Sequence, residues 1–286
     1  MLNYFYIGGG KMIEIPEAAI LSIQLNETIA GKRIKNVEVL QSPHKFAWFY
    51  KDPQDYKSKL LEKVVTKAEA VAGYVEITVE DGVLLFVDGV NLRFHGNEEK
   101  RPQKHQLLIE LYDSIAISAS VQMYGGLWCF ENGEFDNSYY LRAKESISPI
   151  SEKFDREYFN AILSVTGAER LSAKALLATE QRIPGLGNGT LQDILFNAKI
   201  HPKKKLSSFT EDDKELIFNS IKSTLKEMIQ QGGRDTEKDL FGKPGGYITK
   251  LSKNTANKPC KICGTPIVKE AYMGGSIYYC SQCQKI

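Results

Sequence analysis

The rhythm of apolar and polar positions changes twice along the chain. Ile20, Leu21, Ile23 and Leu25 give apolar cover after Pro16 and Glu17, and Gly31 follows. Proline suits a first helical turn, glutamate complements the helix dipole there and glycine ends the run, so a helix is predicted over 16–30. From Lys32 to about Phe130 the pattern becomes short and β-rich. Val37 and Val39 alternate with polar residues, and runs 74–79 and 83–87 flank Glu80-Asp81-Gly82. Runs 107–111 and 116–120 flank Tyr112-Asp113-Ser114, and Asn132-Gly133 closes the last hairpin. Short turns between such runs predict antiparallel strands, about eight of them, in a two-layer β-sandwich or flattened barrel with the first helix packed on it.

Beyond Ser146, Ser148, Pro149 and Ser151 the helical period returns, with helices predicted over 155–165, 171–180 and 189–198. A longer helix starts at Thr210 with Asp213 and ends at Gly232-Gly233. The segment from Gly233-Arg234-Asp235 to Tyr247 is polar and glycine-rich and reads as an extended loop to the last module. The expected class is therefore α+β. An N-terminal β-sandwich domain is expected at 12–134, a linker at 135–152, a helical domain at 153–250 and a cysteine module at 251–286. Residues 1–11, MLNYFYIGGGK, show no period and read as a flexible leader or an engineered remnant.

Composition sharpens this picture at three places. At 286 residues and 42% hydrophobic, the chain is long enough for two domains with a large core. No apolar run reaches the roughly 18 residues of a membrane span and no secretory signal opens the chain, so the cytoplasm is the default. The net charge is only +2, yet residues 1–150 carry −4 and residues 151–286 carry +6. That polarity puts a nucleic-acid footprint on the second half, where Lys203-Lys204-Lys205 is either part of it or a solvated loop.

Chemistry concentrates in two C-terminal motifs. Cys260 and Cys263 form one CxxC pair, and Cys280 and Cys283 a second after sixteen residues. Each pair closes a tight turn with two thiolates, so four of them complete a tetrahedron for one structural Zn2+, and no open position remains for catalysis. Between the pairs, Gly264-Thr265-Pro266-Ile267 and Gly274-Gly275-Ser276-Ile277 read as a β-hairpin with a glycine tip. The fifth cysteine, Cys129, sits between Trp128 and Phe130 as a small core residue. The second motif spans 171–202, where Ile183-Pro184 breaks one helix and Gly185-Leu186-Gly187-Asn188 turns into another. The turn's glycines tolerate positive φ, and N–H groups at the helix start near Asn188 suit a phosphate oxygen.

This string, with Lys174, Glu180-Gln181, Gly185, Gly187-Asn188, Ile194-Leu195-Phe196 and Ile200-His201-Pro202, resembles the helix-two-turn-helix of the formamidopyrimidine-DNA glycosylase and endonuclease VIII family. The cysteine module resembles the same family's zinc finger, down to Gln284 after the last cysteine. The resemblance implies base excision repair by a DNA glycosylase and abasic-site lyase. It further implies that Lys174 and Asn188 bind phosphates flanking a damaged nucleotide and that a monomer binds damaged or abasic double-stranded DNA, with Gly187 in the clamp turn.

In that family an N-terminal proline amine forms a Schiff base with the sugar. An α-amine titrates near 7.8 and is roughly a third unprotonated at pH 7.5, against about 0.1% for an ordinary lysine. Members begin Pro-Glu-Leu-Pro-Glu, and this chain has Ile13-Glu14-Ile15-Pro16-Glu17. Glu14 keeps the family's general acid/base, but Ile13 replaces the nucleophile, and with residues before it its nitrogen is an amide. Other positions depart as well. Tyr74 after Gly73 takes the place of a lysine, and the methionine that fills the gap of a flipped base falls near Val90. The wedge aligns with Gln122-Met123-Tyr124-Gly125, in which Met123 and Tyr124 still suit intercalation. Gly275 stands where the hairpin carries a DNA-inserting arginine. Two other readings therefore stand beside a repair enzyme: a reader of damaged or bent DNA without catalysis, and an RNA or structural adaptor.

Overall fold

The computed structural model describes residues 12–286. The chain forms two compact units, one from residues 12–144 with 229–247 and the other from 145–228 with 248–286.

In the first unit, helix α1 (Ile15–Ile29) starts where the sequence indicates. Pro16 lies in its first turn, and a capping box closes its N-terminus, the Glu14 N–H donating to Glu17 Oε2 at 3.2 Å. Strands β1 (Ile34–Val39) and β2 (Ala47–Phe49), helix α2 (Tyr56–Leu60) and strands β3 (Val65–Val71) and β4 (Tyr74–Val79) follow. Then come β5 (Gly82–His95), β6 (Leu107–Leu111), β7 (Ala116–Glu131) and helix α3 (Ser138–Glu145). Helix α3 lies inside the stretch expected to be a linker.

The seven strands make one hydrogen-bonded sheet in the order β1-β6-β7-β5-β4-β3, with β2 added parallel to β7 and all other pairs antiparallel. Strands β5 and β7 pair from Gly82↔Glu131 to His95↔Ala116, with a register shift between Asp88 and Val90. Both faces of this pair are covered. Leu84, Phe86 and Leu92 pack with Leu21 and Leu25 of α1, while Val83, Leu85 and Val87 pack with Trp128, Phe130, Phe135 and Tyr140. Double coverage explains why 83–87 reads as a continuous apolar run rather than an alternating one. Cys129 is buried in the first of these cores, and burial pushes its thiol up to about 12.

The segment 229–247, which the sequence reading joined to the helical domain, belongs to this first unit. Leu240 enters the core, and its carbonyl accepts the Phe94 N–H at 2.9 Å while its own N–H donates to Gln24 Oε1 at 2.9 Å. Arg234 is 2% exposed. Its Nε and Nη2 donate to Glu17 at 2.8 and 2.7 Å, and Nη1 lies 3.6 Å from Glu14 Oε1. The polar composition that looked like a loop is thus the lining of a buried ion network.

The second unit holds α4 (Arg156–Leu163), α5 (Ala173–Ala178), α6 (Asn188–Asn197), α7 (Glu211–Gln230) and the hairpin β8 (Val268–Tyr272) and β9 (Gly275–Tyr279). Helix α5 ends before the Ile183-Pro184 break, because Thr179 turns extended and Glu180 and Gln181 adopt left-handed φ of 56° and 52°. The buried Asp193 carboxylate of α6 accepts the N–H groups of Lys250 and Leu251, both at 2.8 Å, and so fixes the entry to the cysteine module. Gln284 does the same at the exit, accepting from Cys280 N–H and donating to the Ile200 carbonyl, each at 3.0 Å. No helix among the described residues is long and apolar enough to cross a membrane.

Removing one partner of a buried charge pair leaves the other uncompensated, at a cost of about 3–5 kcal/mol. Arg234→Met is therefore expected to lower unfolding stability by that amount in urea titrations at pH 7, and adding Glu17→Gln to recover part of it. A midpoint unchanged by Arg234→Met would contradict the role assigned to the guanidinium.

Candidate nucleic-acid interface

The second unit brings three of the residues chosen from sequence to one place. Lys174, on α5, is 4% exposed, and its Nζ donates to the Tyr272 carbonyl at 2.6 Å. Asn188, the first residue of α6, donates from Nδ2 to the Ser276 carbonyl at 3.0 Å. A side-chain carbon at Gly275 would lie 3.5 Å from Lys174 Nζ and 4.0 Å from Asn188 Nδ2. Gly187 caps α6 in extended geometry (φ −102°), so of the two turn glycines only Gly185 (φ 77°) uses the left-handed region.

Gln192, which the sequence reading passed over, locks this junction. Its Nε2 donates to Asn188 Oδ1 and to the Ser276 carbonyl, both at 3.2 Å, and its Oε1 accepts the Tyr278 N–H at 3.0 Å. Helical spacing from Asn188 was the available signal. Among the described residues Lys174 has no carboxylate partner, and burial pushes its ammonium down to about 8. An arriving anion would favour the charged form again, which suits this corner to a phosphate. The triple lysine is different: Lys203 pairs with Glu270, and Lys204 with Asp213 at 2.7 Å.

The four cysteines converge, with all Sγ atoms within 4.8 Å of one another. Cys260 and Cys283 approach to 3.9 Å and Cys263 and Cys280 to 3.4 Å, and none is in a disulfide. Four thiolates at the roughly 2.3 Å zinc–sulfur distance have edges of about 3.8 Å, so this group has the dimensions of a metal site. The N–H groups of Ile262 and Cys283 point at sulfur, to Cys260 and Cys280 respectively, as they do where thiolate charge needs support.

In the first unit the edge around Ile13 is dominated by acids. Ile13 is buried and its N–H donates to the Asp88 carbonyl at 2.7 Å. The Met12 N–H donates to Glu237 Oε2 at 3.3 Å. Burial pushes the Glu237 carboxyl up to about 7, and Arg234 opposes that rise only partly. Burial alone pushes Asp88 up to about 7 as well. Glu14 is buried, with its Oε1 3.6 Å from the Arg234 guanidinium. Of the charged groups at this edge the sequence singles out Glu14 and gives no prominence to Arg234, Glu237 and Asp88. An acid inside the apolar run 83–90 was a signal for the last.

Met123 and Tyr124 are part-exposed in β7, and the Tyr124 ring lies tilted 5.7 Å from Trp48. Tyr74 is a packed aromatic, 5.7 Å from Tyr140 and 6.4 Å from Trp128, and Val90 is a core residue.

Residues 12–120 match the formamidopyrimidine-DNA glycosylase N-terminal domain, and residues 146–239 match the formamidopyrimidine-DNA glycosylase H2TH domain. A formamidopyrimidine-DNA glycosylase of Enterobacter sp. (strain 638) is 30% identical over 236 residues, covering 79% of this chain and 84% of that one. Another, of Cytobacillus firmus, is 26% identical over 286 residues, 96% of this chain and all of its own. The chain belongs to the formamidopyrimidine-DNA glycosylase and endonuclease VIII family. Among solved structures, the Fpg protein of Thermus thermophilus superposes with a TM-score of 0.78 at 20% identity, over 95% of this chain and 98% of that one. The complex of Lactococcus lactis Fpg with abasic-site DNA gives 0.80 at 21%, over 96% of this chain and 100% of that one. The fold is shared with both.

The raised Glu237 carboxyl has a consequence for stability. Unfolded, the group releases its proton near 4.5; folded, it keeps it to about 7. The folded state binds more protons between those values, so stability falls as pH rises through the window, by at most about 3 kcal/mol. Asp88 adds a fall of the same sign. Glu237→Gln is expected to flatten part of the decline in denaturant midpoints between pH 4.5 and 7, and an unchanged pH slope would contradict the protonated state.

Proposed function

We propose that the protein is a DNA-repair protein of the base excision type that binds damaged or abasic double-stranded DNA. The observation that carries this reading is the convergence of Lys174, Asn188 and the backbone at Gly275 into one anion-binding corner. Lys174 supplies the charge and Asn188 an amide donor. Gly187 leaves the start of α6 uncovered, and Gly275 leaves room for a phosphate oxygen. Met123 and Tyr124 serve as the wedge against the base stack. Cys260, Cys263, Cys280 and Cys283 hold one zinc ion, whose chemistry is a cross-link that fixes the hairpin rather than a catalytic step. The protein works as a monomer in the cytoplasm.

The family's reaction joins base removal to strand nicking through an amine. At the corresponding place this chain has the Ile13 amide, hydrogen-bonded to the Asp88 carbonyl. An amide nitrogen is not a nucleophile. This observation favours a second reading for the full chain, a protein that recognises abasic DNA without forming a Schiff base, while Glu14 retains the position of the acid/base.

Borohydride trapping on an abasic-site duplex separates the two, run on the full chain and on a chain starting at Met12. Trapping of the shorter chain alone would assign the lyase step to a terminal amine, and trapping of both would assign it to a lysine. Tight binding with no adduct from either supports recognition without lyase chemistry. Asn188→Ala is expected to weaken abasic-duplex binding by about 1–3 kcal/mol, the usual worth of a hydrogen bond to a charged group. Unchanged affinity in a folded variant would remove Asn188 from the interface. Chelation of zinc should unfold the cysteine module and abolish the same binding, read by circular dichroism and electrophoretic shift.

A further inference from the structure

Asp88 is an acid that the fold tolerates at a cost. It interrupts the apolar run from Val83 to Val90 in a strand covered on both faces. It also takes a left-handed φ of 60° at the register shift between β5 and β7. A bulge of this kind re-aims a side chain out of the ladder. Its carbonyl is engaged, holding the Ile13 N–H at 2.7 Å, but among the described residues no hydrogen bond or ion pair reaches its carboxyl. Unlike its buried neighbours Val87 and Val90, Asp88 is only part-buried, and its carbonyl contact sets it beside Ile13. The other acids at this edge are occupied. Glu14 and Glu17 face Arg234, and Glu237 accepts from Met12.

Resting on the repair reading above, we propose that the full chain is a hydrolytic DNA N-glycosylase in which Asp88 is the general base. In this step the Asp88 carboxylate takes a proton from a water molecule as the water oxygen bonds to C1′ of the damaged nucleotide. The C1′–N bond breaks with its electron pair going to the departing base. The base takes up a proton from solvent, and Asp88 returns its proton to solvent. The products are a free base and an abasic site in an unbroken strand. No amine takes part, which agrees with an amide at Ile13. Burial holds the carboxyl at about 7, where a base both exists as carboxylate and binds a proton readily near neutral pH.

The test uses the full chain and duplex DNA irradiated with γ-rays, so that many oxidised bases are offered together. Released bases are read by mass spectrometry, abasic sites by alkali-induced breaks, and amine chemistry by borohydride trapping. The expected result is base release with alkali-labile, otherwise intact strands and no trapped adduct. Asp88→Asn keeps the shape and the tolerance of left-handed φ, and Asp88→Gly accepts that backbone without any side chain. Both are expected to lose base release by about 100-fold or more while abasic-duplex affinity stays within about twofold. Release unchanged in both variants, a trapped adduct accompanying release, or no release from any lesion despite tight abasic binding would each overturn the proposal. Failure of the full chain to bind the abasic duplex at all would overturn the repair reading itself, and this inference with it.

Discussion

The guanidinium of Arg234 holds the start of α1 against a segment more than two hundred residues away in sequence. Two buried carboxylates at the start of a helix, one its N-cap and one in its first turn, are untenable alone, since each would carry an uncompensated desolvation cost. Arginine meets them with a planar fork, bidentate to Glu17 and alongside Glu14, so charge and geometry are satisfied together. Glu17 is then shared between two tasks, its Oε2 also accepting the Glu14 N–H in the capping box. One side chain therefore sets both where α1 begins and where residues 12–14 lie.

The second unit solves a different problem by similar means. A hairpin of two five-residue strands has little core of its own, so it is fastened by amides and carboxylates from α6. Gln192 bridges Asn188 to β9, and Asp193 grips the chain ahead of the cysteines. Apolar support comes from Phe196, Leu251, Ile267 and Tyr278. The donors that face Gly275 are already positioned by these bonds, so an anion bound there would add little ordering cost.

Much of this was legible in the sequence where local physics decides. Pro16 and Glu17 marked the start of α1, Asp81-Gly82 the turn between β4 and β5, and the two CxxC pairs a four-thiol cluster. Lys174, Asn188 and Gly275 were singled out from the resemblance, and the fold brings them together. Illegible were the features that depend on distant partners. Arg234 sits in a polar, glycine-rich stretch with no apolar period, so nothing local shows that it is buried. Residues 138–145 form a helix that rests on Tyr140 and Ala143 reaching the aromatic core, a contact no serine-rich pattern announces. The early end of α5 reflects backbone geometry at Thr179 to Gln181, where the residues themselves are ordinary helix formers.

The return of residues 229–247 to the first unit also dictates the order of events at synthesis. Glu17 and Arg234 are 217 residues apart. At roughly 5–20 residues per second, a ribosome releases the arginine some 10–40 s after the glutamate. By the second half of that interval all seven strands have been made and can pair, since all of them precede residue 132, but the amino edge keeps its acids in water. The residues 171–202 that carry the clamp are made before the arginine that completes the edge beside Ile13. The hairpin that carries Gly275 follows only at 268–279, so the arginine closes the amino edge before the corner around Lys174 and Asn188 is complete.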